Sequence, residues 1–123
     1  MESTINDILT RRSVKKYKSA PVPQEIIDKI INAGLYAPSG MGAQSPIIIQ
    51  VTNKEMRNKL AKMNADIMGA DTDPFYGAPC VLIVLANKNC RTAIYDGSLV
   101  MENLMLAAHA LGLGSCWIHR AQE

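Results

Sequence analysis

Asp96–Gly114, DGSLVMENLMLAAHALGLG, is the stretch that decides the fold. Leu99, Val100, Met101, Leu104, Met105, Leu106, Ala107, Ala108 and Leu111 surround the axis of a helix drawn through it. Only Ser98, Glu102, Asn103 and His109 interrupt them. A helix apolar on nearly every side must be buried on nearly every side. A chain of 123 residues reads as one domain, with little material to wrap such a helix completely. Two packings answer this: a central helix beneath the chain's own sheet, or a helix shared with a second subunit. Ala107, Ala108 and Ala110 would permit close approach in the second. Asp96 reads as the cap of a helix running from about Gly97 to Leu111, and Gly112-Leu113-Gly114 ends it.

Working outward, Ser115–Ile118 begins a strand and carries the only tryptophan, Trp117. Upstream, Ile47–Thr52 and Cys80–Ala86 are continuous apolar runs, read as strands buried on both faces. Between them Asn53 caps a helix over Lys54–Met68, with Met56, Leu60, Met63 and Ile67 on its predicted inner face. An earlier helix opens at Pro23 and sets Ile26, Ile27, Ile30, Ile31 and Leu35 against Glu25, Asp28, Lys29 and Asn32. It ends before Pro38, which disfavours helical geometry in its predecessor. The first helix covers Thr4–Arg12, with Ile5, Ile8 and Leu9 on one face. Two loops remain. Ala37–Pro46, APSGMGAQSP, is rich in Gly, Pro and Ser, and its glycines allow a backbone to approach a ligand. Gly69–Pro79 is irregular and long enough for a surface flap or binding loop.

Hydrophobic residues make up 48% of the chain, enough for a core, and Ile, Leu, Val, Met and Ala must build it because aromatics are scarce. A net charge of +2 argues against a nucleic acid or a membrane surface as the main partner. No run approaches the length of a membrane span and no signal peptide is visible, so a cytoplasmic protein is expected. Cys80, Cys90 and Cys116, odd in number and widely spaced, fit reduced thiols. His109 and His119 have no ligand-like spacing, so no metal site is expected.

The charge is concentrated instead. Five of the eight residues from Arg11 to Lys18 are cationic, just past the C-terminus of the first helix, where the helix dipole favours positive charge. Arg11 and Arg12 are suited to gripping a phosphate bidentately, Ser13 to adding a hydrogen bond and Lys15 to adding charge. The competing reading is a solvated basic turn. No Ser-His-Asp arrangement or other catalytic constellation stands out, so no general acid or base is named.

RRSVKKY, APSGMGAQSP, DGSLVMENLMLAAHALGLG and SCWI, in this order, resemble the small bacterial branch of the nitroreductase family. The resemblance covers essentially the whole chain. It implies an α+β fold with a mixed, largely antiparallel sheet flanked by helices, in an intertwined homodimer with two FMN sites at the subunit interface. By matching position, Arg11, Arg12, Ser13 and Lys15 would bind the phosphate and ribityl end of FMN. Pro38, Ser39, Gly40 and Met41, with Gln44 nearby, would reach the flavin of the other subunit. Ile118 and His119 match a segment whose backbone passes the isoalloxazine ring. The implied activity is transfer of hydride from NAD(P)H through flavin N5 to nitroaromatic, quinone or similar small-molecule acceptors. The alternative is a flavin-binding dimeric scaffold with little reductase activity. The chain departs from the family pattern twice. Gly42 stands where Asn is common, so a side-chain hydrogen bond to the flavin is expected to be missing or moved. The family also continues well beyond this length, so a chain lacking the C-terminal part of the fold is expected.

Overall fold

The computed structural model describes residues 2–119. Its elements are α1 (Glu2–Thr10), α2 (Gln24–Leu35), β1 (Ile47–Val51), α3 (Lys54–Met68), β2 (Val81–Leu85) and α4 (Ala93–Ala110), with a 3-10 turn at Gly40–Gly42. The architecture is α+β, as expected. β1 and β2 pair antiparallel, with Ile47 opposite Leu85 and Val51 opposite Val81. A separate parallel bridge joins Ser13 to Ser115, so the strand pairing is mixed. The strand expected at Ser115–Ile118 is reduced to that one bridge. Among the described residues, no helix is long and apolar enough to cross a membrane.

The chain packs around α4. Val100, Leu104 and Ala108 of α4 meet Ile30 of α2 and Ala37, and Ile48, Leu82 and Val84 of the sheet pack against this cluster. Burying one such Ile or Leu stabilises the fold by about 1.5–3 kcal/mol. α2 and α4 come close because Gly34 faces Leu104: a Cβ at Gly34 would lie 2.5 Å from Leu104 Cδ2. Asn103, a polar interruption of the apolar surface, donates from Nδ2 to Ala33 O at 3.0 Å, so α2 satisfies it. The opposite face of α4 is open. Ile94 and Tyr95 are each 70% exposed. In this chain α4 is therefore buried along one face, not on nearly all sides.

Three sequence-based expectations fail, each for a local reason. α4 begins at Ala93, with Thr92 at the N-cap position, and Asp96 lies inside its first turn. Asp96 does not cap the helix because its carboxylate is engaged with another loop. β1 is not buried on both faces: Ile47 and Ile49 are exposed while Ile48 faces the core. A sheet with helices packed on one face shows this alternation. α3 is inverted relative to its pattern. Arg57, Ala61, Asn64 and Ala65 are its buried residues, whereas Met56, Met63 and Ile67 are exposed. Arg57 turns inward because it has ionic and carbonyl partners there, Asp73 and Ala78 O. The caps of α3 follow expectation: Asn53 Oδ1 accepts from Met56 N at 2.9 Å.

Candidate functional site

The basic segment is laid along the C-terminal half of α4. Thr10 Oγ1 donates to Asn6 O at 2.7 Å and shares a hydrogen bond with His109 Nε2 at 2.8 Å. Arg11 Nε lies 3.6 Å from Glu102 Oε1. Arg11 Nη1 is buried and has no hydrogen-bond partner. Arg12 turns back instead, donating from Nη1 to Leu9 O at 3.0 Å and Arg11 O at 2.8 Å. It thereby satisfies orphan carbonyls at the end of α1. Ser13 pairs with Ser115, and Val14 N donates to Ser115 O at 2.9 Å. Gly114 permits this approach, because a Cβ there would lie 2.8 Å from the Val14 side chain. Residues 11–15 thus run beside the start of the 115–119 segment, in which Ile118 is half-buried and His119 exposed. Trp117 and His119 pack ring against ring at 5.8 Å.

Lys15 is exposed, and its ammonium lies 6.0 Å from the centre of the Tyr76 ring. Tyr17 donates from its hydroxyl to Val14 O. Burial, and then the neighbouring Cys116 and Tyr76, push the Tyr17 phenol up to about 12.

The Gly-rich loop is held at the other end of α4. Asp96, only 2% exposed, accepts from Gly40 N at 2.9 Å and from Thr92 Oγ1 at 2.8 Å. Gly40 must be glycine here, since a Cβ would lie 2.8 Å from Thr92 Cγ2. Ser39 Oγ accepts from Gln44 N at 2.9 Å. The Gln44 side chain folds back toward Ala37 O, at 3.4 Å, so it serves its own loop. Pro38 is exposed, and Met41 projects fully into solvent. Met41 and Gln44 adopt left-handed φ of 55° and 53°. At Gly42, φ is 66° and the space around a side chain is open.

One chain does not bring all these residues to a point. The loop is anchored at Asp96, whereas the basic segment passes Glu102 and His109 and reaches Ser115, beyond the far end of the helix. Asp96 and Ala110 are separated by roughly 20 Å at the α-helical rise.

A third group was not anticipated residue by residue. Arg57, 8% exposed, donates from Nε to Ala78 O at 2.8 Å and from Nη2 to Asp73 Oδ2 at 2.5 Å. Its guanidinium lies 5.5 Å from the Phe75 ring centre. Burial pushes the Asp73 carboxyl up, but hydrogen bonds from Arg57, Phe75 and Gly77, with the Arg57 charge, outweigh it and hold the group below its ordinary range. Asp96 and Thr92 were also missed as a loop anchor. The available signal was an acid at the edge of an otherwise apolar helix, which capping explained too readily.

The Nitroreductase family model matches residues 8–122. A protein of Methanothermobacter thermautotrophicus is 36% identical over 114 residues, covering 89% of this chain and 57% of its own length. A Vibrio harveyi NADPH-flavin oxidoreductase is 31% identical over 129 residues, covering 96% of this chain and 54% of its own length. This chain therefore spans little more than half of either relative. The relatives are archaeal as well as bacterial, so they do not assign it to a bacterial branch. Among solved structures, a Desulfitobacterium hafniense nitroreductase with bound FMN superposes with a TM-score of 0.88 at 26% identity, covering 98% of this chain and 72% of that one. A Bacteroides fragilis nitroreductase with bound FMN gives 0.84 at 30% identity, covering 95% and 70%. With the α+β packing about α4 and a family match running through the basic segment, the Gly-rich loop and Ser115–Ile118, the chain belongs to the nitroreductase family.

Proposed function

We propose that the protein is an FMN-dependent oxidoreductase that takes reducing equivalents from NAD(P)H and passes them to a small-molecule acceptor. The observation that carries this reading is Arg11 Nη1, a buried guanidinium donor without a partner in the middle of a cationic segment. A buried donor left unpaired is costly, and an anionic ligand group removes that cost. The residues present therefore fit the phosphate-bearing end of FMN. When bound, FMN would supply hydride transfer through its N5 to nitroaromatic, quinone or similar acceptors.

The chain's own residues supply placement and charge. Arg11, Ser13 and Lys15 hold the phosphate and ribityl end, while Arg12 contributes charge from its place on the α1 carbonyls. The backbone at Ile118 and His119 borders the ring, beside the basic segment. Pro38, Ser39, Gly40, Met41 and Gln44 serve the flavin of a second copy, which explains why they are anchored away from the basic segment of their own chain.

A homodimer is the working form in this reading. Its support is apolar surface left open: Ile5 at 60%, Ile8 at 54% and Leu9 at 67% exposure on α1. These adjoin a groove of about 240 Å³ lined by Ile8, Leu106, Ala107 and Ala110. The free thiols of Cys80, Cys90 and Cys116 fit a cytoplasmic setting.

The test is an absorbance spectrum of the purified protein after addition of FMN, followed by anaerobic addition of NADH and of NADPH. The expected result is a bound flavin bleached by at least one nicotinamide. A protein that takes up no FMN defeats the proposal. Bound FMN that neither nicotinamide bleaches would favour the dimeric flavin-binding scaffold.

A further inference from the structure

We propose that Tyr76 is a further residue of the cofactor site, holding Lys15 in place, and that the Arg57–Asp73 pair is the positioning device that presents it. The proposal rests on the FMN reading above and deepens it.

Among the described residues, three that are not glycine take a left-handed φ: Met41, Gln44 and Tyr76, at 55°, 53° and 53°. Met41 and Gln44 already belong to the loop assigned to the flavin. Such conformations are disfavoured for L side chains and persist where the surroundings over-determine them. Tyr76 is over-determined in this way. Phe75 N donates to Asp73 Oδ1 at 3.0 Å, Tyr76 N to Asp73 O at 3.1 Å and Gly77 N to Asp73 Oδ2 at 2.8 Å. Three successive amides thus converge on one aspartate. Arg57 then fastens that aspartate and Ala78 O to α3. The adjacent Gly77 also takes a left-handed φ, 76°, at no steric cost, whereas the aromatic residue before it holds the strained one.

Tyr76 is 40% exposed, so it is not held there to fill a core. It lies against the Lys15 ammonium at 6.0 Å. Lysine is a flexible point charge, and confining its head against a π face lowers the ordering cost when an anionic ligand binds. The ring face does this, so the hydroxyl is dispensable.

The experiment titrates FMN by flavin fluorescence against wild type, K15A, Y76F, Y76G, K15A/Y76G and R57Q, with Tm measured for each apo-protein. Y76F should bind FMN within about two-fold of wild type, and Y76G about five-fold more weakly, the scale of an exposed cation–π contact. Y76G should not lower Tm, because glycine is at ease with this φ. K15A/Y76G should bind no more weakly than K15A, and R57Q should reproduce Y76G. If R57Q does not fold, the Tyr76 variants alone decide. Wild-type binding with an unaltered Y76G affinity overturns the proposal and leaves the FMN reading standing. So do losses that multiply in the double variant, or a Y76G that loses Tm but not affinity. A wild type that takes up no FMN sinks both.

Discussion

At the scale of single residues, Asp96 matters more than its position suggests. A buried carboxylate accepts one backbone amide and one hydroxyl, and through them joins the Gly-rich loop to the first turn of α4. Asp96→Ala leaves the Gly40 amide without a partner, which should cost about 2 kcal/mol, read as a lower urea midpoint. Asp96→Asn keeps an acceptor for Gly40 and should cost less. The clustering of charge at Arg11, Arg12 and Lys15 was legible from residue type. What each one touches was not. Arg12 is occupied with helix carbonyls, and Arg11 with Glu102. Asp96 could not be assigned from neighbours in the chain, since Gly40 lies 56 residues away.

At the scale of elements, the outcome depended on what each helix or strand found to pack against. The periodicity of α2 was correct because α4 and the sheet lie on its apolar face. The periodicity of α3 pointed the wrong way, because an inward-turned Arg57 with its Asp73 partner, and two alanines, outweighed a stripe of flexible methionines and isoleucine. That tether titrates. Asp73 has a depressed pKa in the folded chain, so its contribution is complete above the ordinary carboxylate value and is lost as pH falls through the depressed one. Wild type should exceed Asp73→Asn in urea midpoint at neutral pH and converge on it as the solution is acidified below the ordinary carboxylate range. Asp73 is part-exposed, so added salt should narrow the gap at neutral pH.

At the scale of the whole molecule, the function proposed above takes the site to be shared between two copies. Arg11→Ala and Met41→Glu should each abolish FMN uptake when every chain carries the change. Met41 projects fully into solvent, so its replacement leaves the fold intact. If the basic segment and the Gly-rich loop of one site come from different subunits, unfolding and refolding the two variants together should restore about a quarter of the sites, by random assortment into two-fold dimers. No restoration would place both segments of a site in one chain.

The sequence by itself determined the family, the α+β class, the helices and the two paired strands to within a few residues, and the clustering of charge in the basic segment. These follow from local pattern: apolar periodicity, caps, glycine positions and charge clusters act over a few residues. Only the tertiary structure decided which face of α3 turns inward, that β1 is half exposed, that Asp96 anchors a loop, and that Tyr76 is fixed against Lys15. Each depends on a partner distant in the chain: Asp73 for Arg57, packing on one side of β1, Gly40 for Asp96 and the Tyr76 ring for Lys15. Local pattern carries the propensity of a segment, whereas burial and ion pairing are settled by what the completed fold brings to it.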